Sequence, residues 1–223
     1  MADGVRGLTV LIAGATSASG EAVASALVAA GATVLAVGTR EDALARLADV
    51  VPGVETLTCD LADPSAVTEL AMRIHVTNGP IDGLVHLVGG WRGGGGLEGQ
   101  TDGDWAFLER AFTTLRNTSR VFYPDLVASS AGRLAIVSST AVEHPLAGGA
   151  NYAAAKAAGD AWTRAIAQGF RKEAPNAAAA IFVVKTLEGL ESLLGERVVD
   201  LWNMDPSTIN GVRQLLTADP VAD

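Results

Sequence analysis

Ser139 stands thirteen positions before Tyr152, and Lys156 stands four after it. A hydroxyl, a phenol and an ammonium are suited to moving a proton to or from an alcohol oxygen. In a helix, positions i and i+4 lie one turn apart on the same face, so Tyr152 and Lys156 project together. A free tyrosine, with a pKa of about 10, is a poor acid–base catalyst at neutrality. A nearby ammonium favours the phenolate and lowers that pKa into a more useful range. Tyr–Lys pairs one turn apart also decorate many solvated helices. The elements around the pair therefore decide its reading.

Tyr152 to Phe170 is rich in alanine, interrupted by Gly159 and Gly169, and free of proline, which predicts a helix. Arg133 to Ser138 predicts the strand that delivers Ser139. Upstream, strands are expected at Leu8 to Ala13, Thr33 to Val37, Leu57 to Cys59 and Leu84 to Val88, and downstream at Ala178 to Val184. Helices are expected at Gly20 to Ala30, Glu41 to Val50, Pro64 to Val76 with Asp63 as N-cap, and Trp105 to Ser129. Continuous apolar strands alternating with helices describe an α/β chain: a Rossmann-like, doubly wound parallel sheet with helices on both faces. No linker or internal repeat divides residues 1–223, so one nucleotide-binding domain is expected.

The first strand runs into Gly14-Ala15-Thr16-Ser17-Ala18-Ser19-Gly20. Glycines here allow a tight turn and close approach of backbone to a pyrophosphate, whose charge is attracted by the free amides of the next helix. The hydroxyls of Thr16, Ser17 and Ser19 can add phosphate contacts. At the end of the second strand, an acidic residue would hold the ribose hydroxyls of NAD, and a basic one the 2′-phosphate of NADP. That position is Gly38, followed by Thr39 and Arg40. The missing carboxylate and the guanidinium favour NADP over NAD, with Arg40 as the phosphate partner.

Taken together, the Ser-(thirteen)-Tyr-x-x-x-Lys spacing and the glycine-rich turn resemble the short-chain dehydrogenase/reductase family over nearly the whole chain. The resemblance implies hydride transfer between NADP(H) and a carbonyl or alcohol substrate, with Ser139, Tyr152 and Lys156 catalytic. It further implies that Asp60 and Leu61 contact the adenine side, Gly89 lies against the cofactor, Lys156 holds the nicotinamide ribose, and Thr186 meets the carboxamide. Ala18 replaces the family's middle glycine, and its single added methyl implies a turn that still binds. His86-Leu87-Val88-Gly89 stands for Asn-Asn-Ala-Gly, with His86 as a structural hydrogen bonder. The family's helix asparagine falls on Ala111 or Phe112, and its Pro-Gly on Val184-Lys185-Thr186-Leu187. Asn117 is not assigned the asparagine's role. Glu188 to Asp200 takes the place of the substrate lid, and Trp91 either walls the pocket or anchors the surface. These departures, with Gly89-Gly90-Trp91, resemble the quinoid dihydropteridine reductase branch, which uses NADH. A homologue that binds nucleotide with little catalysis is the alternative. The small-residue face of Ala153, Ala157 and Ala158 and the family habit imply a homodimer or homotetramer.

A formal charge of −9 and a pI near 4.8 disfavour nucleic acid and anionic membrane as partners. The single cysteine, Cys59, excludes an intramolecular disulfide and a cysteine-based cluster; no metal is expected, and a reducing cytoplasm fits. Met1-Ala2-Asp3-Gly4 leads straight into a strand without a leader pattern, and no apolar run is long enough to span a membrane.

Overall fold

The computed structural model describes residues 4–218, so Met1, Ala2 and Asp3, on which the absence of a leader was read, lie outside the described residues. Strands β1 (Thr9–Ala13), β2 (Thr33–Gly38), β3 (Val54–Thr58), β4 (Gly83–His86), β5 (Arg133–Ser139), β6 (Ala178–Val184) and β7 (Arg213–Leu215) form one sheet. Its order is β3-β2-β1-β4-β5-β6-β7, and every neighbouring pair is parallel. The helices are α1 (Ala18–Ala29), α2 (Glu41–Val50), α3 (Pro64–Thr77), α4 (Asp102–Ala128), α5 (Ala150–Glu173), α6 (Glu191–Asp200) and α7 (Pro206–Ile209).

Side chains alternate across each strand, and this splits the core into two layers. Leu11, Ala13, Ile181 and Val183 meet Leu70 and Ile74 of α3, Phe122 and Leu126 of α4, and Phe170 of α5. Val10, Ile12, Phe182 and Val184 meet Val23 and Leu27 of α1, Leu47 of α2, and Leu194 and Val198 of α6. Each fully buried aliphatic or aromatic side chain contributes about 1.5–3 kcal/mol relative to exposure. Both faces are therefore covered, as the apolar runs predict.

The amino-terminal ends of the central strands are fastened by polar groups. Asp82 accepts hydrogen bonds from the Thr9 amide at 2.9 Å and the Ser129 hydroxyl at 2.6 Å. The buried Arg133 guanidinium donates to the carbonyls of Leu201 at 2.8 Å and Asn176 at 2.7 Å, and the Trp202 indole donates to Ala131 at 2.9 Å.

Several boundaries differ from the sequence reading. Helix α4 starts at Asp102 because the Thr101 hydroxyl caps the Asp104 amide at 3.1 Å. Strand β4 stops at His86, leaving residues 87–89 as loop. The segment expected to be a lid instead forms α6, which packs on α1: a Cβ on Gly195 would stand 2.8 Å from the Ala22 carbonyl oxygen. Helix α7 and strand β7 were not anticipated. Each is short, and β7 is held by pairing with β6 rather than by its own pattern.

Candidate active site

β1 has β2 on one side and β4 on the other, so the chain's winding reverses there, and the crevice beyond the carboxyl ends of β1 and β4 is where such sheets bind ligands. The glycine-rich turn fills that place. Gly14 has φ +85°, and a Cβ on it would lie 2.8 Å from the Val88 amide nitrogen. A Cβ on Gly20 would collide with the backbone of Ala15. Ser17 caps α1, accepting from the Gly20 amide at 3.1 Å. Ala18 is the first helical residue, and no non-glycine residue among those described has positive φ. The backbone at that position therefore needs no glycine, which explains why alanine is accommodated there.

A cavity of about 370 Å³ opens beside the turn, lined by Gly14, Thr16, Ser17, Arg40, Asp60, Leu61 and Gly89 among others. The exposed Arg40 guanidinium reaches back to Thr16, 3.3 Å from its hydroxyl and 3.5 Å from its carbonyl oxygen. Arg110 of α4, which the sequence reading missed, lines the same cavity and pairs with Asp60 at 2.6 Å. The Ala62 amide and then Arg110 hold the Asp60 carboxyl below its usual value. Phe107, Arg110, Ala111 and Thr114 all line the cavity, at the 3- and 4-residue intervals of one helix face, and this was the available signal.

The second cavity, of about 1020 Å³, shares Ser17 and Gly89 with the first and gathers Ser139, Tyr152, Lys156, Ser19 and Thr186. Ala18 and Gly20 line neither cavity and lie within the turn itself. Ser139 is buried at the end of β5, and its hydroxyl accepts from the Ala141 amide at 3.1 Å. The Lys156 ammonium donates to the Val137 carbonyl at 2.7 Å and stands 5.8 Å from the centre of the Tyr152 ring. A Cβ on Gly89 would lie 3.6 Å from that ammonium, so the loop after β4 passes directly over it.

The electrostatics correct one expectation. Burial holds the Tyr152 phenol above its ordinary value, and a hydrogen bond with Ser139 pulls the other way. Burial lowers Lys156 to about 8. The Lys156 ammonium, 5.8 Å from the ring centre, thus does not bring the phenol down in this structure, because burial disfavours the charged form of each group.

His86 bonds Thr114 of α4 at 2.8 Å, and burial, followed by the Lys156 charge, lowers it to about 3. It is a neutral tie between β4 and α4. Asn117 is likewise occupied, its amide donating to the Leu61 and Ala62 carbonyls at 3.2 and 3.0 Å. Phe112 packs edge-on against Trp162, with ring centres 6.1 Å apart. Cys59 is buried, and burial raises its thiol. Trp91 is 61% exposed at the mouth of the large cavity, where Lys185 and His144 also lie. Gln100 fastens the glycine run beneath it, donating to Gly94, Gly96 and Gly148 carbonyls at 3.0–3.1 Å and accepting from the Asn151 amide at 3.2 Å. Among the described residues there is no cluster suited to a metal and no helix long and apolar enough to cross a membrane.

Comparison with known proteins gives a consistent picture. The short chain dehydrogenase family model matches residues 8–182. The 2,3-dihydro-2,3-dihydroxybenzoate dehydrogenase of Bacillus subtilis (strain 168) is 31% identical over 170 residues, covering 74% of this chain and 65% of that protein. A 3-oxoacyl-(acyl-carrier-protein) reductase of Salmonella typhimurium is 29% identical over 153 residues, covering 68% of this chain and 62% of its own. The chain thus spans under two thirds of the length of these curated relatives. A metagenomic short-chain oxidoreductase solved with NADP superposes with a TM-score of 0.84 at 22% identity, covering 95% of this chain and 97% of that one. An NAD+-bound xylitol dehydrogenase superposes equally well, with a TM-score of 0.84 at 18% identity over 95% and 98%.

Proposed function

Because the chain belongs to the short-chain dehydrogenase family, we propose that it is an oxidoreductase that transfers a hydride between NADP(H) and the carbonyl or alcohol carbon of a small molecule. The observation that carries this is the convergence of Ser139, Tyr152 and Lys156 on one cavity that joins the glycine-rich turn. The glycine cradle is closed to any Cβ and lies at the N-terminus of α1, which suits a pyrophosphate.

When bound, the nicotinamide supplies or accepts the hydride. Ser17 and Ser19 line the cavity beside the turn, and the amides at the start of α1 would hold the phosphates. Ser139 donates a hydrogen bond to the substrate oxygen, and Tyr152 gives that oxygen its proton in reduction or removes it in oxidation. Lys156, whose ammonium lines the same cavity, would hold the nicotinamide ribose. Thr186, which lines the cavity, would meet the carboxamide. Trp91 walls the substrate side.

Preference for NADP rests on Gly38, where no carboxylate opposes a phosphate, and on Arg40 and Arg110 at the neighbouring cavity. Solved neighbours carry NADP in one case and NAD+ in another. A reducing, cytoplasmic setting fits the single buried thiol.

α4 and α5 present a groove of about 230 Å³ lined by Tyr123, Trp162 and Ile166. Ala153 of the small-residue face is itself buried within the subunit, so the homodimer or homotetramer proposed through those helices rests on this groove and on the half-buried Ala157 and Ala158. The deciding experiment is turnover of NADPH and NADH against a panel of ketones, aldehydes and quinonoid compounds, with Tyr152→Phe beside the wild type. Loss of turnover in Tyr152→Phe with retained nucleotide binding is expected. Full activity in that variant would refute the mechanism.

A further inference from the structure

We propose that Arg213 is a positioning residue of this site, tying the turn that carries Ser139 to the helix that carries Tyr152 and Lys156. Arg213 opens β7, the edge strand beyond β6, and its side chain is only 15% exposed. One guanidinium nitrogen donates to the Ser139 carbonyl at 3.0 Å. Nε pairs with Glu143 at 3.2 Å, and the remaining nitrogen pairs with Asp160. Ser139 enters and Glu143 leaves the 3-10 turn Thr140–Val142. A single rigid fork therefore bridges both ends of that turn. Asp160 lies on α5 four residues after Lys156 and is fully buried.

This geometry fixes Ser139 twice. Its hydroxyl is held by the Ala141 amide and its carbonyl by Arg213. The planar guanidinium can meet three partners in set directions, which a lysine ammonium on a flexible stem cannot reproduce. Asp160 needs the partnership for its own reason, since a buried carboxylate without a cation is strongly unfavourable. A solitary structural ion pair would need only Asp160 and Arg213. The bond to the Ser139 carbonyl and the span to Glu143 connect that pair to the site.

The proposal rests on the reading that Ser139 and Tyr152 act on the substrate, so its test includes a signal independent of turnover. The chain has two tyrosines. In a Tyr123→Phe background, 13C label at tyrosine Cζ reports Tyr152 alone. His86, His144, Lys156 and Lys185 line the same cavity and stay in place in every variant. Glu143, Asp160 and Arg213 form the cluster behind the turn.

Arg213→Met with Asp160→Leu removes both buried charges together and avoids stranding one. We expect this double variant to bind NADPH as the parent does, with an unchanged KM for NADPH and a kcat lowered about tenfold or more through misplacement of Ser139. The Tyr152 titration should move to higher pH as its bond with Ser139 loosens. Arg213→Lys should restore part of kcat and part of the titration shift. Parental kcat and parental Tyr152 titration in the folded double variant would overturn the proposal, as would complete restoration by lysine. If no carbonyl compound is turned over even by the parent, the functional reading fails. The Tyr152 titration then decides the positioning role alone: a shift supports it and no shift overturns it.

Discussion

Replacing Arg40 with serine tests which nucleotide the chain prefers. Its guanidinium is exposed and held only by Thr16 at 3.3 and 3.5 Å, at the long end of hydrogen-bond distance. Little binding is therefore lost when it turns to a 2′-phosphate. Arg110, by contrast, is engaged by Asp60 at 2.6 Å and contributes a more compensated charge. At about 4 Å and an effective dielectric of about 20, a unit charge pair is worth about 4 kcal/mol. Exposure and side-chain ordering reduce that to the range of charged hydrogen bonds, about 1.5–3 kcal/mol. Arg40→Ser should thus weaken NADPH by roughly 10- to 100-fold, since each 1.4 kcal/mol is about tenfold. NADH, which lacks the phosphate, should be nearly unaffected. Parallel fluorescence titrations of the two nucleotides measure the ratio directly. Raising the ionic strength should narrow the wild-type gap more than the variant's, in which only the Asp60-paired Arg110 remains. An NADPH-to-NADH affinity ratio equal in wild type and Arg40→Ser would refute the assignment of Arg40.

Gly20→Ala should destabilise the fold by about 1–3 kcal/mol and abolish nucleotide binding, because the new methyl meets Ala15 backbone rather than a movable side chain; urea melts and NADPH titration check both. Ala18→Gly should change stability by less than about 1 kcal/mol and leave nucleotide affinity near wild type, since a helical backbone gains nothing from glycine. Lys156 has a folded value near 8 against an ordinary 10.5. Between those values the unfolded chain binds the extra proton, so wild-type stability should rise with pH through that window relative to Lys156→Met. Parallel pH dependences of the two proteins in urea denaturation would contradict the burial of that ammonium. Gel filtration should show a dimer or tetramer, and a monomer would remove the role assigned to the α4 and α5 faces.

The sheet was legible because β1, β2, β5 and β6 are continuous apolar runs, and α5 because alanine and spacing both favour a helix. The pairing of Tyr152 and Lys156 on one helix follows from the same periodicity. Helix α6 has Leu194 and Val198 at helical spacing, yet family expectation turned it into a lid; the burial of those two residues on α1 decided otherwise. Arg110 and Arg213 were missed for a different reason. Each acts on a partner at least fifty residues away, Asp60 and Ser139, and local pattern carries no sign of such a partner. The direction of the Tyr152 shift was also hidden, since spacing reveals which groups are neighbours and says nothing of how dry their surroundings are.

The polar fastening at Asp82, Arg133 and Trp202 lies at the opposite end of the sheet from the cavities. Robustness and novelty are thereby assigned to different ends of one molecule. Loops bearing Trp91, His144 and Lys185 can change in sequence without touching the bonds that anchor β1, β4 and β5. A chain built this way can acquire new substrates by drift at one rim while its folding stability is inherited intact from the other.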